Sequence, residues 1–315
     1  MLEQVANTDI FTIDAEYEKP DIAAIHLVRE GDQLAIIDTG TVHSIPALER
    51  ALDELGLSWQ SVSFVILTHI HLDHAGGAGH IMQRALNARL VVHQKGARHM
   101  VDPSRLVEGS VVVYGKEAFE RLYGEIVSID SSRMHVPHEG ETISLNGRVL
   151  EFLDTPGHAN HHHCIWDAKT QSMFTGDTLG VGYRALRSED RAVLMPSSTP
   201  VQFNPEALHA SIEKVMDFAP KQLYLTHFGA IEPNKRLIDG LHEQIDAYVQ
   251  ITEEVAASTD AETFEAALGA RLSRYLSERA ARELENVPAS IIAEWVPFDA
   301  ELNALGLAVW WRQQS

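Results

Sequence analysis

The most chemically loaded stretch of this sequence is Thr68-His69-Ile70-His71-Leu72-Asp73-His74-Ala75-Gly76-Gly77, where four ligand-capable side chains fall within six residues. In an extended segment alternate side chains point the same way, so His69 and His71 can grip one cation together. Asp73 and His74 then turn with the chain toward a second position. The paired glycines let the backbone bend sharply before a helix begins. Imidazole plus carboxylate donors suit zinc, with manganese or iron chemically admissible. The bland alternative is a surface loop that happens to be rich in histidine. Against it stand three more ligand candidates at strand ends: His158 in Thr155-Pro156-Gly157-His158, Asp177 in Phe174-Thr175-Gly176-Asp177, and His227 in Leu225-Thr226-His227-Phe228-Gly229. Ligands that converge from several strand ends of one sheet are what a metal site requires.

The elements that must position these side chains are legible in outline. Residues 22–38 read as two β-rich runs around a Glu-Gly-Asp turn. A helix with Ile45, Leu48, Leu52 and Leu55 on one face begins at Ser44 and stops at Gly56. VSFVILT (62–68) is a continuous apolar run, typical of a strand covered on both faces. A helix near 77–87, a strand at 89–93 and a helix around 116–124 follow, with less regular sequence between 96 and 130. Short strands recur at 149–154, 163–167 and 172–175. Asn204-Pro205 opens a helix that runs to about Phe218, and QLYLT (222–226) is another buried strand. From Pro233 onward almost everything reads as helix, with a capping box expected at Thr259 and Glu262. The expected architecture is an α/β sandwich with a C-terminal helical extension, divided into a catalytic domain over 1–232 and an extension over 233–315 that serves as lid or dimerisation element.

Length and composition fit this picture. A chain of 315 residues accommodates one large core and a smaller appended unit. The formal charge of −20, from 45 acidic and 25 basic residues, repels phosphate backbones, and no Lys/Arg run offsets it. Nucleic acid is therefore not an expected partner; a small-molecule substrate is. No apolar stretch is long enough to cross a bilayer, so no membrane partner is expected, and the first residues lack the features of a secretory signal. The single cysteine, Cys164, excludes an internal disulfide and fits a reducing cytoplasm. A homodimer is a reasonable expectation from the apolar tail.

The run THIHLDHAGG resembles the HxHxDH signature of the metallo-β-lactamase superfamily, and TPGH, TGD and THFG are similar to its later motifs in the same order. Ile37-Asp38-Thr39-Gly40 looks like the superfamily's early strand-end aspartate. The resemblance spans roughly residues 8–232 and implies a four-layer αβ/βα sandwich with the site at one edge. It implies two divalent metal ions, most readily zinc, with manganese or iron as alternatives. His69, His71 and His158 would hold the first, Asp73, His74 and His227 the second, and Asp177 would bridge them. Asp38 would orient the ligand loop by hydrogen bonding, and His162 would lie near the site without ligating.

The activity so implied is hydrolysis of a small ester, thioester, lactone or phosphoester. Two cations sharing a water would lower its pKa until hydroxide exists near neutral pH, with Asp73 as the catalytic residue that orients the nucleophile and passes a proton. TPGH and the helical tail are similar to the glyoxalase II-like and lactonase-like branches. Two other readings compete. One is an iron-dependent oxidoreductase: persulfide dioxygenases keep HxHxDH, whereas flavodiiron proteins usually replace the histidine found here as His71 with glutamate. The other is a ligand-binding regulatory protein with little turnover. The tRNA-processing branch is disfavoured by the acidic charge. The segment 180–203 follows the bridging aspartate directly and is expected to pass over the pocket mouth, with Tyr183 and Arg184 as substrate contacts and Phe203 as an apolar wall. His161, His163 and Cys164 are expected to be packing residues of a strand.

Overall fold

The β-rich runs become two sheets. In the computed structural model, which describes residues 2–188, 191–198 and 201–314, the first sheet holds β1 (Glu3–Gln4), β2 (Ile10–Asp14), β3 (Ala24–Glu30), β4 (Gln33–Ile37), β5 (Val62–Ile66), β6 (Arg89–Val91) and β7 (Met134–His135), side by side in chain order. β1 to β4 pair antiparallel, and β4 to β7 pair parallel. Parallel neighbours need crossover connections. Helices α1 (Ile45–Glu54), α2 (Leu72–Ala75), α3 (Ala78–Arg84), α4 (Gln94–Val101), α5 (Ser104–Tyr114) and α6 (Lys116–Tyr123) supply them. The second sheet runs β8 (Thr142–Leu145), β9 (Arg148–Asp154), β10 (His163–Asp167), β11 (Ser172–Gly176), β12 (Gln222–Leu225) and β13 (Gly229–Ile231), again in order. Between the sheets Val28, Ile37 and Ile66 of the first meet Leu150, Phe152 and Phe174 of the second in one apolar cluster, each worth roughly 2 kcal/mol of burial.

Polar side chains also pin the sheets together. His26 of β3, fully inside the core, donates from Nε2 to the Leu225 carbonyl at 3.1 Å and accepts from the Thr12 hydroxyl at 3.0 Å. Burial pushes His26 down to about 4, and burial with the charge of His93 does the same to His163. The folded chain therefore favours both rings neutral. The stability this contributes is complete above the ordinary histidine pKa of about 6.5 and drains away as pH falls from there through 4, on the order of 3 kcal/mol per ring. Urea midpoints of the metal-free chain should fall steeply between pH 6.5 and 4.5, and less steeply in His26→Gln. Identical slopes in the two proteins would count against the assignment.

Contacts divide the described residues into two compact units. One comprises the chain up to Asp154 with His161–Gly176 and Ala219–Glu232, and so contains both sheets. The other comprises Thr155–Asn160, Asp177–Phe218 and the chain from Pro233. The second unit is built on α7 (Pro205–Asp217), α8 (Lys235–Ser258), α9 (Phe264–Glu283) and α10 (Ala289–Gln314). Asn204 caps α7 as expected, its side-chain oxygen accepting from the Ala207 N–H at 2.9 Å. The expected capping box at Thr259 and Glu262 does not form. α8 runs on to Ser258, so the Thr259 hydroxyl donates back to the Val255 carbonyl at 2.7 Å, and Asp260 accepts from the N–H and hydroxyl of Thr263 ahead of α9. No helix among the described residues is long and apolar enough to cross a membrane.

Candidate metal centre

β4 and β5 end side by side, and the site begins where they stop. Asp38 follows β4 with φ +56°, a left-handed conformation that aspartate tolerates better than most residues. Its N–H bonds the Ile66 carbonyl at 2.8 Å, and its carboxylate turns under the segment that leaves β5. That carboxylate is wholly buried and accepts from the Thr68 N–H (2.8 Å), the Thr68 hydroxyl (2.9 Å), the Thr226 hydroxyl (2.8 Å) and His74 Nδ1 (2.8 Å). Burial alone would raise its pKa. The charge and hydrogen bond of His74, with the donors of Thr68 and Thr226, outweigh burial and hold the carboxyl below its usual range.

These contacts decide which histidine nitrogens carry hydrogen. A carboxylate only accepts, so His74 Nδ1 must donate, and in the neutral ring, the form that binds a metal, Nε2 then carries the lone pair. His227 Nδ1 lies 2.6 Å from the Ile22 carbonyl, which fixes His227 the same way. The two Nε2 atoms are 3.3 Å apart, and an oxygen of Asp73 lies 3.5 Å from one and 3.3 Å from the other. Three electron-pair donors thus converge within 4.8 Å of one another. Lone pairs so arranged repel unless a cation or proton lies among them, and the donor chemistry fits a divalent metal. Burial raises the Asp73 carboxyl, but His74 and His227 overcome that and hold it well below the ordinary value, so it is ionised at neutral pH.

A similar pairing holds at the other two histidines of the signature. The Thr68 hydroxyl, donating to Asp38, is left to accept from His69 Nδ1 at 3.1 Å, which turns His69 Nε2 toward His71 Nδ1 at 2.9 Å. The turn over residues 71–77 is stapled to the 38–40 loop. Thr39 N–H and hydroxyl both reach the His74 carbonyl at 2.7 Å, and Gly77 N–H reaches the Gly40 carbonyl at 2.9 Å. A Cβ on Gly77 would lie 2.8 Å from the carbonyl oxygens of Thr39 and Thr41, which is why the turn needs glycine there.

His161, His162 and His163 all lie in the unit with the sheets. His163 starts β10 and its Nε2 bonds the Leu67 carbonyl at 2.7 Å. The ring of His162 lies 5.0 Å from that of His69, and the ring of His161 lies 5.4 Å from that of His71. Gly176, with φ +47°, faces His162: a Cβ there would be 2.4 Å from His162 Nε2 and 2.7 Å from the Thr68 hydroxyl. Gly176→Ala combines that collision with left-handed backbone and is expected to cost about 2 kcal/mol or more, read as a lower thermal midpoint. An unchanged midpoint would mean that the His162 and Thr68 side chains are loosely held.

The second unit brings His158 and Asp177 together. His158 donates from Nδ1 to the Ser197 carbonyl at 3.0 Å, so its Nε2 lone pair faces an Asp177 oxygen at 3.5 Å. Tyr183 is buried, its hydroxyl donating to Asp299 at 3.2 Å and its ring 4.9 Å from Trp295 of α10. Phe203 is buried edge-on to Trp310, with ring centroids 6.3 Å apart. Arg184 is half-buried and opens a single 3-10 turn. Glu189, Asp190, Thr199 and Pro200 of the same connector lie outside the described residues.

Sequence reasoning passed over three tyrosines near Asp73. The Tyr17 and Tyr123 hydroxyls are 3.0 Å apart and the Tyr114 ring packs on Tyr123. Burial first, and the charges of Asp73 and neighbouring groups next, push Tyr17 and Tyr123 well above the usual tyrosine range, so both stay protonated. They are spread from 17 to 123 with no spacing that could have announced them.

Residues 19–227 match the model of the metallo-beta-lactamase superfamily, and the chain belongs to that superfamily. A metallo-beta-lactamase fold-containing protein of Sulfurisphaera tokodaii is 24% identical over 220 residues, 69% of this chain and 76% of that one. An acyl-coenzyme A thioesterase of Gallus gallus is 26% identical over 167 residues, 52% of this chain and 60% of the thioesterase. The chain spans less than two thirds of the length of several such relatives. A metallo-beta-lactamase family protein of Thermus thermophilus is similar in structure, with a TM-score of 0.65 over 97% of this chain and 94% of that one at 21% identity. The fold is thus the α/β sandwich of this superfamily with a C-terminal helical extension.

Proposed function

We propose that this protein is a metal-dependent hydrolase of small acyl substrates, thioesters and esters first among them. The observation that carries the reading is the convergence of His74 Nε2, His227 Nε2 and the ionised Asp73, with both imidazole tautomers dictated by buried acceptors. Superfamily membership extends the proposed ligand set to His69, His71, His158 and Asp177, and two zinc ions are the proposed complement. Such ions, when bound, supply Lewis acidity and a water that ionises near neutral pH.

The chain's own groups do the rest. Asp73 accepts the proton that water loses as it adds to the acyl carbon, and that proton leaves with the departing thiol or alcohol. Asp38 holds the ligand turn while charge builds up. Among the residues after Asp177, Arg184 is the proposed substrate contact, and Tyr183 and Phe203 shape the wall through α10. The thioesterase of Gallus gallus supports trying acyl thioesters first. The test is elemental analysis of the purified protein together with a panel of acyl thioesters, aryl esters, lactones and phosphoesters. About two zinc or manganese ions per chain with chelator-sensitive turnover is the expected result. About one iron per chain without hydrolysis would overturn the proposal in favour of an oxidoreductase.

A further inference from the structure

In the second unit the segment 193–198 is held from two directions. Val181 and Met195 form an antiparallel bridge with N–H···O distances of 2.8 and 2.9 Å, a few residues after Asp177. From the other direction α8 and α10 grip it. Gln244 donates to the Leu194 carbonyl at 2.7 Å and the Tyr248 hydroxyl to the Pro196 carbonyl at 3.4 Å. Asn303 Oδ1 accepts from the Ser198 N–H at 2.6 Å and the Ser198 hydroxyl at 2.8 Å, and its Nδ2 donates to the Tyr248 oxygen at 3.3 Å. Ser198, Asn303 and Tyr248 are all buried.

The Ser198 N–H and the Ser197 carbonyl belong to one planar peptide group. Asn303 holds its N–H end, and His158 Nδ1 donates to its carbonyl end at 3.0 Å. Asn303, the peptide and the His158 imidazole therefore form one buried hydrogen-bond chain in which each bond polarises the next. A carbonyl acceptor fixes the tautomer and ring orientation of a metal-binding histidine. We infer that Asn303 of the C-terminal helix is a positioning residue for His158, acting through the Ser197–Ser198 peptide group. This rests on the reading of His158 as a metal ligand. It gives the helical tail a part in the metal centre rather than in packing alone.

The test is zinc affinity, measured by competition with a chromophoric chelator, alongside the visible absorption of the cobalt-substituted protein. Asn303→Leu keeps the branched shape of the side chain, though with larger volume, and removes the acceptor; it should weaken zinc binding by about ten- to a hundredfold and alter the cobalt spectrum. Asn303→Asp, which still accepts from Ser198 and can accept from Tyr248, should restore both. In a His158→Ala background Asn303→Leu should change nothing further. If Asn303→Leu does not fold, Asn303→Ser, too short to reach the Ser198 N–H, is read the same way. Wild-type affinity in the variants, or an equal loss with and without His158, would overturn the inference while leaving the metal centre standing. A wild-type chain that takes up no zinc would overturn the metal-centre reading and this inference with it.

Discussion

Asp38→Asn is expected to abolish tight metal binding at the Asp73–His74–His227 group while leaving both sheets folded. One carboxylate oxygen accepts the Thr68 N–H, a bond the asparagine carbonyl can keep. The other faces His74 Nδ1 and the Thr226 hydroxyl, and there the amide places an NH2. A hydroxyl can rotate to accept, but an imidazole must move its proton to the far nitrogen. His74 would then direct Nε2–H at Asp73 and His227 in place of a lone pair, and a protonated nitrogen cannot ligate. Loss of such a supporting contact weakens metal binding by about a hundredfold, and the reversed tautomer should bring the effect to at least that. Asp38→Ala differs in kind. It leaves four donors buried without their acceptor and should cost on the order of 4 kcal/mol, enough to threaten the fold. Zinc competition titrations and urea unfolding of the metal-free proteins separate the two. Asp38→Asn with wild-type zinc affinity would show that the Asp38 contact does not set the His74 tautomer.

The metal-binding signature is legible because spacing, residue type and the preceding apolar strand all act within ten residues. Asp38 is legible as a strand-end aspartate, but its partners are not. Thr226 belongs to the last strand of the sequence reading; in the fold β12 stops at Leu225, which frees the Thr226 hydroxyl for Asp38, 188 residues away. No local pattern carries such a contact. The same reason hides the tyrosines beside Asp73 and the span of His26 between sheets. The box expected at Thr259 and Glu262 is a local signal overridden: α8 ends at Ser258, the Thr259 hydroxyl turns back to the Val255 carbonyl, and the next helix starts only at Phe264. Residues 155–160 and 177–218 group with the helices after Pro233, and what draws them there includes buried polar bonds such as Ser198–Asn303, between residues 105 positions apart.

The other large effect is expected at the acidic members of the proposed ligand set. Asp73→Ala removes the anion that lies 3.3 and 3.5 Å from the His227 and His74 nitrogens. Two neutral imidazoles then face one another with no negative charge to offset a dication, so one metal equivalent should be lost. Turnover should fall by about a hundredfold or more, because a proton acceptor disappears along with a Lewis acid. Stability of the metal-free chain at neutral pH should fall as well, since His74 and His227 hold the native Asp73 carboxyl well below its ordinary range and that stabilisation is lost with the side chain. Asp73→Asn keeps an oxygen ligand without the charge and should fall between the two. Asp177→Ala tests the other half of the proposed set in the same assay. With the sandwich intact by circular dichroism, it should eliminate hydrolysis, because the carboxylate facing His158 at 3.5 Å is the one proposed to join both metals. Full activity in Asp177→Ala would remove Asp177 from the ligand set and, with it, the case for two metals acting together.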